Sequence, residues 1–209
     1  MKRGLLAAVA VAAAGFGIGV ASAQNFYVGT FAGGGDGDTD WAWQSVPGLT
    51  SDHSTDGSVY GLDVGWAKTW GTHFYAGVEA SYGWADIEGS TDCPNPTFSC
   101  ESQIDTIGSL RAIAGYAHDK WVFYGTGGFA WADATVQDND GFGPYGEDQG
   151  LSGYALGGGV QYKLGPHWSI RGEYIRYDFD EETFEVDSGL LVDAELSTDV
   201  YSLGVNYHF

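Results

Sequence analysis

The strongest constraint on this chain is alternation. In its last segment Tyr201, Leu203, Val205, Tyr207 and Phe209 fall on one face of an extended strand, and Ser202, Gly204, Asn206 and His208 fall on the other. A helix does not put every second residue on one side; a strand does. The pattern returns upstream. Tyr60, Leu62, Val64 and Trp66 oppose Gly61, Asp63 and Gly65, and Phe74, Ala76, Val78, Ala80, Tyr82 and Trp84 oppose Tyr75, Gly77, Glu79 and Ser81. Thr106, Gly108, Leu110, Ala112, Ala114 and Tyr116 oppose Asp105, Ser109 and Arg111. Tyr154, Leu156, Val160 and Tyr162 oppose Gly157, Gly159 and Gln161. An apolar face beside a polar one suits a strand with lipid on one side and a polar lumen on the other. A soluble sandwich or lipocalin-like barrel would need more charge and less glycine on the polar face.

Three segments are less regular. Residues 25–34 alternate without revealing which face is apolar, and residues 121–135 are apolar on both faces. Residues 168–180 begin with Trp168, Ile170, Gly172 and Tyr174 against Ser169, Arg171 and Glu173, then slip at Ile175-Arg176-Tyr177. The slip reads as a bulge or as a strand that has left the membrane.

The N-terminus is a targeting segment. Lys2 and Arg3 precede an apolar run to Val20, and Ala21-Ser22-Ala23 is an A-x-A cleavage site, so residues 1–23 read as a signal peptide and residues 24–209 as one domain. No later stretch reaches the eighteen or so apolar residues of a spanning helix. Removing Lys2 and Arg3 leaves six basic residues against 28 acidic ones, a net charge near −22. Such a surface repels phosphate backbones and excludes nucleic acid as a partner. Cys93 and Cys100 lie close together in an exported chain, which predicts a disulfide. Two thiolates with no histidine nearby do not complete a zinc site.

Turn lengths set the topology. Short turns at residues 68–73, 118–120 and 165–167 separate longer, acidic, glycine-rich stretches at 35–57, 86–101, 136–150 and 181–198. Four excursions predict an all-β, eight-stranded antiparallel transmembrane β-barrel with short periplasmic turns and long acidic external loops. A ten-stranded barrel stays open, because residues 189–196 can pair locally. Trp66, Trp70, Phe74, Tyr116, Trp121, Phe123, Tyr162, Trp168, Tyr207 and Phe209 cluster at the short-turn end as an interfacial girdle. Trp84, Tyr154 and Tyr177 are assigned to the outer girdle.

Several segments are similar to the small outer-membrane barrels: the membrane domain of OmpA, OmpX, and the porin-family surface antigens of Gram-negative, particularly alphaproteobacterial, species. They are Gly108-Ser-Leu-Arg-Ala-Ile-Ala-Gly-Tyr116, Tyr124-Gly-Thr-Gly-Gly-Phe-Ala-Trp131, Leu156-Gly-Gly-Gly-Val-Gln-Tyr162, Arg171-Gly-Glu-Tyr174 and the terminal strand. The resemblance implies eight strands, an outer-membrane location, and a C-terminal aromatic pair, Tyr207 and Phe209, read by the barrel-assembly machinery. For residues 121–135 it implies that Trp131 faces the lumen while Tyr124, Thr126 and Ala130 face lipid. The chain ends at Phe209, without OmpA's periplasmic peptidoglycan-binding domain, so a tethering role is not expected.

The candidate chemistry is sparse. Asp63, Glu79, Asp105, Arg111, Arg171 and Glu173 fall on the lumen face by parity. Charges enclosed in a narrow barrel need partners, which predicts ion pairs across the lumen, with a gate in a narrow pore as the alternative. Asp36-Gly-Asp38-Thr-Asp40 has the start of a calcium loop, but Trp41 and Pro47 replace the glycine and glutamate an EF-hand requires. His167-Trp-Ser169 and Asp52-His53-Ser54 do not bring a nucleophile, base and orienting group together. No cofactor is expected. The reading is a non-enzymatic envelope protein whose partners are outer-membrane lipid, lipopolysaccharide and a surface ligand or divalent cation at the acidic loops. The second reading is a narrow, cation-preferring pore.

Overall fold

A computed structural model describes residues 25–43, 50–92, 99–139, 144–186 and 190–209. The predicted signal peptide lies outside these residues. So does Cys93, and with it the predicted disulfide.

Nine strands follow one another: β1 (Phe26–Trp43), β2 (Thr50–Trp70), β3 (Phe74–Asp92), β4 (Ser99–His118), β5 (Trp121–Asn139), β6 (Pro144–Lys163), β7 (Trp168–Phe179), β8 (Glu182–Val186) and β9 (Leu190–His208). Each of β1 to β6 pairs antiparallel with the next, β7 and β8 both pair with β9, and β9 pairs back onto β1. β7 and β8 are therefore two pieces of one stave, broken at Asp180–Glu181, and the barrel has eight staves. Residues 190–194 do pair locally, with β8, but this lengthens an existing hairpin and adds no stave. Closure runs from Tyr27↔His208 to Trp43↔Val192, and the Phe209 amide donates to the Phe26 carbonyl at 3.1 Å. Below Gly153↔Phe179 each stave pairs its backbone on both sides, which lipid demands, whereas above it β8 pairs with β9 alone and residues 144–151 of β6 pair with β5 alone.

The short turns are tight because the chain adopts left-handed backbone at Gly71 (φ 61°) and Asp119 (φ 52°). The long segments differ from expectation. β1 to β6 run for 18–21 residues, so most of each predicted loop is strand. A membrane crossing needs about 9–11 residues. Roughly half of each stave therefore stands beyond the bilayer.

The outer wall marks where the bilayer stops. Going up each stave from the short turns, outward residues change from apolar to polar at one level. Trp84 is followed by Asp86, Trp131 by Asp133, Tyr201 by Asp199, and Tyr174 by Arg176. Tyr60, Trp84, Phe129, Tyr154, Tyr174 and Tyr201 are exposed and form the upper girdle. Tyr60 stacks on Trp84 at 5.9 Å, and Tyr174 lies 5.0 Å from Tyr201. Tyr177, assigned to this girdle from sequence, instead points inward. At the lower end Trp121 meets Tyr162 at 4.7 Å and Trp168 meets Tyr207 at 5.0 Å.

Two local expectations are corrected. β7 alternates without a slip as far as Phe179. Ile175, Tyr177 and Phe179 face inward because the lumen itself becomes apolar above Glu173. β5 has the opposite facing to the one the resemblance implied. Tyr124, Thr126 and Ala130 are buried inside, while Trp131 lies on the outer wall against Gly108, where a Cβ would collide with the indole. Tyr124 and Thr126 carry hydroxyls that find partners, whereas Phe123 and Phe129 have no hydrogen-bonding group and the indoles of Trp121 and Trp131 suit an interface with one side apolar.

Candidate functional site

The lumen is filled in layers. Near the short-turn end an apolar cluster of Tyr75, Ile113, Ala117, Val122 and Tyr124 lines the wall. Above it sits an ionic knot. At the long-loop end a larger apolar core follows, including Val59, Ile87, Ile104, Ile107, Leu151, Ile175, Tyr177, Phe179, Leu196 and Val200.

The knot joins five charged residues from four staves. Arg171 of β7 donates to Glu79 of β3 and, at 3.0 Å, to Asp63 of β2. Arg111 of β4 donates to the other oxygen of Glu79 at 2.5 Å and to Glu173 of β7 at 3.3 Å. Arg171 also lies 3.9 Å from Glu173. The Tyr27 hydroxyl donates to Glu79 at 2.7 Å, and the Tyr124 hydroxyl donates to Glu173 at 2.9 Å. None of the five charged side chains is more than 3% exposed. Asp63 reaches the knot by folding over Gly29, where a Cβ would strike both Asp63 and Asn206. Removing all water from such charges costs several kcal/mol per ion, so each depends on its partners.

The sixth predicted lumen charge, Asp105, is elsewhere. The register shifts between Ile104 and Thr106, so β4 carries a bulge at Asp105. Parity then changes: Ile104 and Ser102 point inward, and Asp105 stands on the outer wall, accepting from Gln103 at 3.0 Å. The tyrosines were the residues the parity argument missed. Tyr27 lay in a strand of undecided facing and Tyr124 in one read the wrong way round.

The calcium candidates lie in a regular strand and not in a loop. Asp36 and Asp38 are exposed on the outside of β1, and Asp40 follows in the same strand. An extended strand does not wrap its oxygens around one ion, and among the described residues no group of three or more metal-ligating side chains converges. The histidine and serine near the third short turn do meet a partner. Ser169 Oγ lies 2.9 Å from His208 Nε2. Ser169 is fully buried, and among the described residues no carboxylate hydrogen-bonds to the His208 ring, so the pair lacks access and an orienting group.

A closed barrel with a lipid-facing apolar band, two aromatic girdles and a packed lumen defines a small integral outer-membrane protein. The family described as outer membrane protein beta-barrel domain matches residues 5–209, and the chain belongs to that family. The 31 kDa outer-membrane immunogenic protein of Brucella melitensis is 26% identical, over 65% of this chain and 66% of that protein, just under two thirds of its length. The 22 kDa outer membrane protein of Rhizobium leguminosarum bv. viciae is 28% identical, over 54% of this chain and 49% of that protein. The outer membrane protease OmpT of Escherichia coli has a similar fold, with a TM-score of 0.54 and 10% identity, over 90% of this chain and 98% of that one. The protein is located in the outer membrane.

Proposed function

We propose that this protein is a non-enzymatic, non-conducting barrel that contributes to envelope integrity and presents an acidic surface to the cell exterior. The observation that carries the reading is the filled lumen. An open pore needs a continuous polar path. Here the ionic knot lies under an apolar core that spans the lumen from Val59 and Ile107 to Phe179 and Leu196. Charge pairs joined this closely serve as internal bracing in the same reading.

The test is electrical. Purified protein inserted into planar bilayers should give no reproducible current steps. Regular steps, lost when the protein is heat-denatured before insertion, would instead establish the cation-preferring pore. The integrity role predicts that a deletion strain admits detergents and bulky antibiotics more readily than the parent. Unchanged sensitivity overturns that part. The assembly role proposed for Tyr207 and Phe209 rests on their place at the lower girdle, with rings 5.4 Å apart and Phe209 53% exposed. Deleting Phe209 should slow insertion by the barrel-assembly machinery while leaving refolding into detergent intact.

A further inference from the structure

The two ends of the barrel carry opposite charge. All three lysines beyond the signal peptide, Lys68, Lys120 and Lys163, lie beside the short turns, with His73, His118, His167 and His208, four of the chain's five histidines. The single acidic side chain at these turns is Asp119, 3.7 Å from His118. The opposite end carries most of the aspartates and glutamates.

Within this basic rim the lumen opens into a cavity of about 460 Å³, lined by residues that include Tyr75, Gln161, Lys163 and His208. Lys163 shares the inward face of β6 with Gln161. Among the described residues no carboxylate lies within ion-pair distance of Lys163, although the chain's formal charge is −20. The carboxylates deeper in the lumen are already held by Arg111 and Arg171. Gln161 is 3% exposed and its Nε2 donor has no protein partner. A buried donor left unsatisfied is unfavourable, so the site favours whatever brings an acceptor to it. His208 is fixed beside them by Ser169.

We propose that the periplasmic mouth of the lumen is a binding site for one anionic group, a carboxylate or a phosphate, held by Lys163, Gln161 and His208. The three side chains provide an ammonium charge, a desolvated amide donor and an imidazole whose Nδ1–H is the donor when Ser169 donates to Nε2, all around one volume, which is how small anions are recognised. The anion can come from a lipid headgroup of the periplasmic leaflet or from a soluble molecule.

The experiment uses the folded full-length barrel in a neutral detergent at fixed ionic strength, titrated with inorganic phosphate and separately with acetate. The readout is the nitrogen and proton shifts of the Gln161 side-chain amide. A saturable displacement is expected, weakened at least tenfold in Lys163→Gln and unchanged in Lys120→Gln, whose lysine stands outside over Tyr162. Gel mobility with and without boiling verifies that each variant is folded. A response that never saturates, or that is equal in Lys163→Gln, overturns the proposal. Nanodiscs then identify the source. If adding phosphatidylglycerol to phosphatidylcholine discs reproduces the displacement without free anion, the ligand is a headgroup. If only the free anions produce it, the ligand is soluble.

Discussion

The two parts of the lumen solve the same problem in opposite ways. Toward the periplasm, Asp63, Glu79, Arg111, Arg171 and Glu173 fill the interior with charge. Toward the exterior, Ile87, Ile104, Ile107, Leu151, Phe179 and Leu196 fill it with hydrocarbon. Both layers exclude water and both brace the wall. They differ in how they fail. A deleted methyl group leaves a hole that neighbours partly close, at a cost that follows the cavity. A deleted charge strands a buried partner: without Arg171, Asp63 has no counter-charge and Glu79 keeps Arg111 alone.

The largest effect is therefore expected at Arg171, which serves Asp63 and Glu79 together. Arg171→Ala should cost about 3–5 kcal/mol in urea unfolding from liposomes, or prevent refolding altogether. A variant as stable as the parent would mean that the knot does not brace the barrel. In the apolar layer, Ile87 is completely buried. Ile87→Ala should cost about 2–4 kcal/mol and still refold, because the site has no charge to strand. If Ile87→Ala is the worse of the two, the contrast between the layers is reversed.

A finer cut tests the tyrosine braces. Tyr124→Phe keeps the ring and removes only the hydroxyl that donates to Glu173 at 2.9 Å. A hydrogen bond to a charged group contributes about 1.5–3 kcal/mol, so the loss should fall near 2 kcal/mol. The same substitution at Tyr174, an outer-girdle residue bonded to Asp199, should cost far less.

How much of this was legible in the chain depends on what each residue could betray. β2, β3, β6 and β9 announce their facing because bulky apolar residues on one side oppose glycine or charge on the other. Asp63, Glu79, Arg111, Arg171 and Glu173 follow from that parity. Asp105 does not, because parity assumes an unbroken register. The trace of the bulge was present in the spacing of Ile104 and Ile107, three apart and both inward, which no regular strand allows. In β5 the signal was the hydroxyls: Tyr124 and Thr126 share a face, while Trp121, Phe123, Phe129 and Trp131, large aromatics without a hydroxyl, share the other. The apparent slip in β7 came from expecting a polar lumen along its whole length. Once the lumen turns apolar above Glu173, Ile175, Tyr177 and Phe179 keep the same parity as Arg171.

The smallest expected effect sharpens the comparison most, because it holds residue type and strand constant. Arg171 and Arg176 lie on the same strand, five residues apart, on opposite faces. Arg176 also pairs with two carboxylates, donating to Asp178 at 3.0 Å and to Asp199 at 3.3 Å. On paper it resembles Arg171. Its side chain, however, is 45% exposed above the upper girdle. There water and salt compensate what the partners lose, and exposed pairs contribute roughly 0–1 kcal/mol. Arg176→Ala should therefore change stability by less than about 1 kcal/mol, and that small cost should vanish in high salt. The cost of Arg171→Ala should not move with salt, because the ions cannot reach the knot. Unfolding curves of both variants at low and high salt decide the point: equal salt dependence would mean that water reaches the ionic layer and that the lumen is more open than its packing implies.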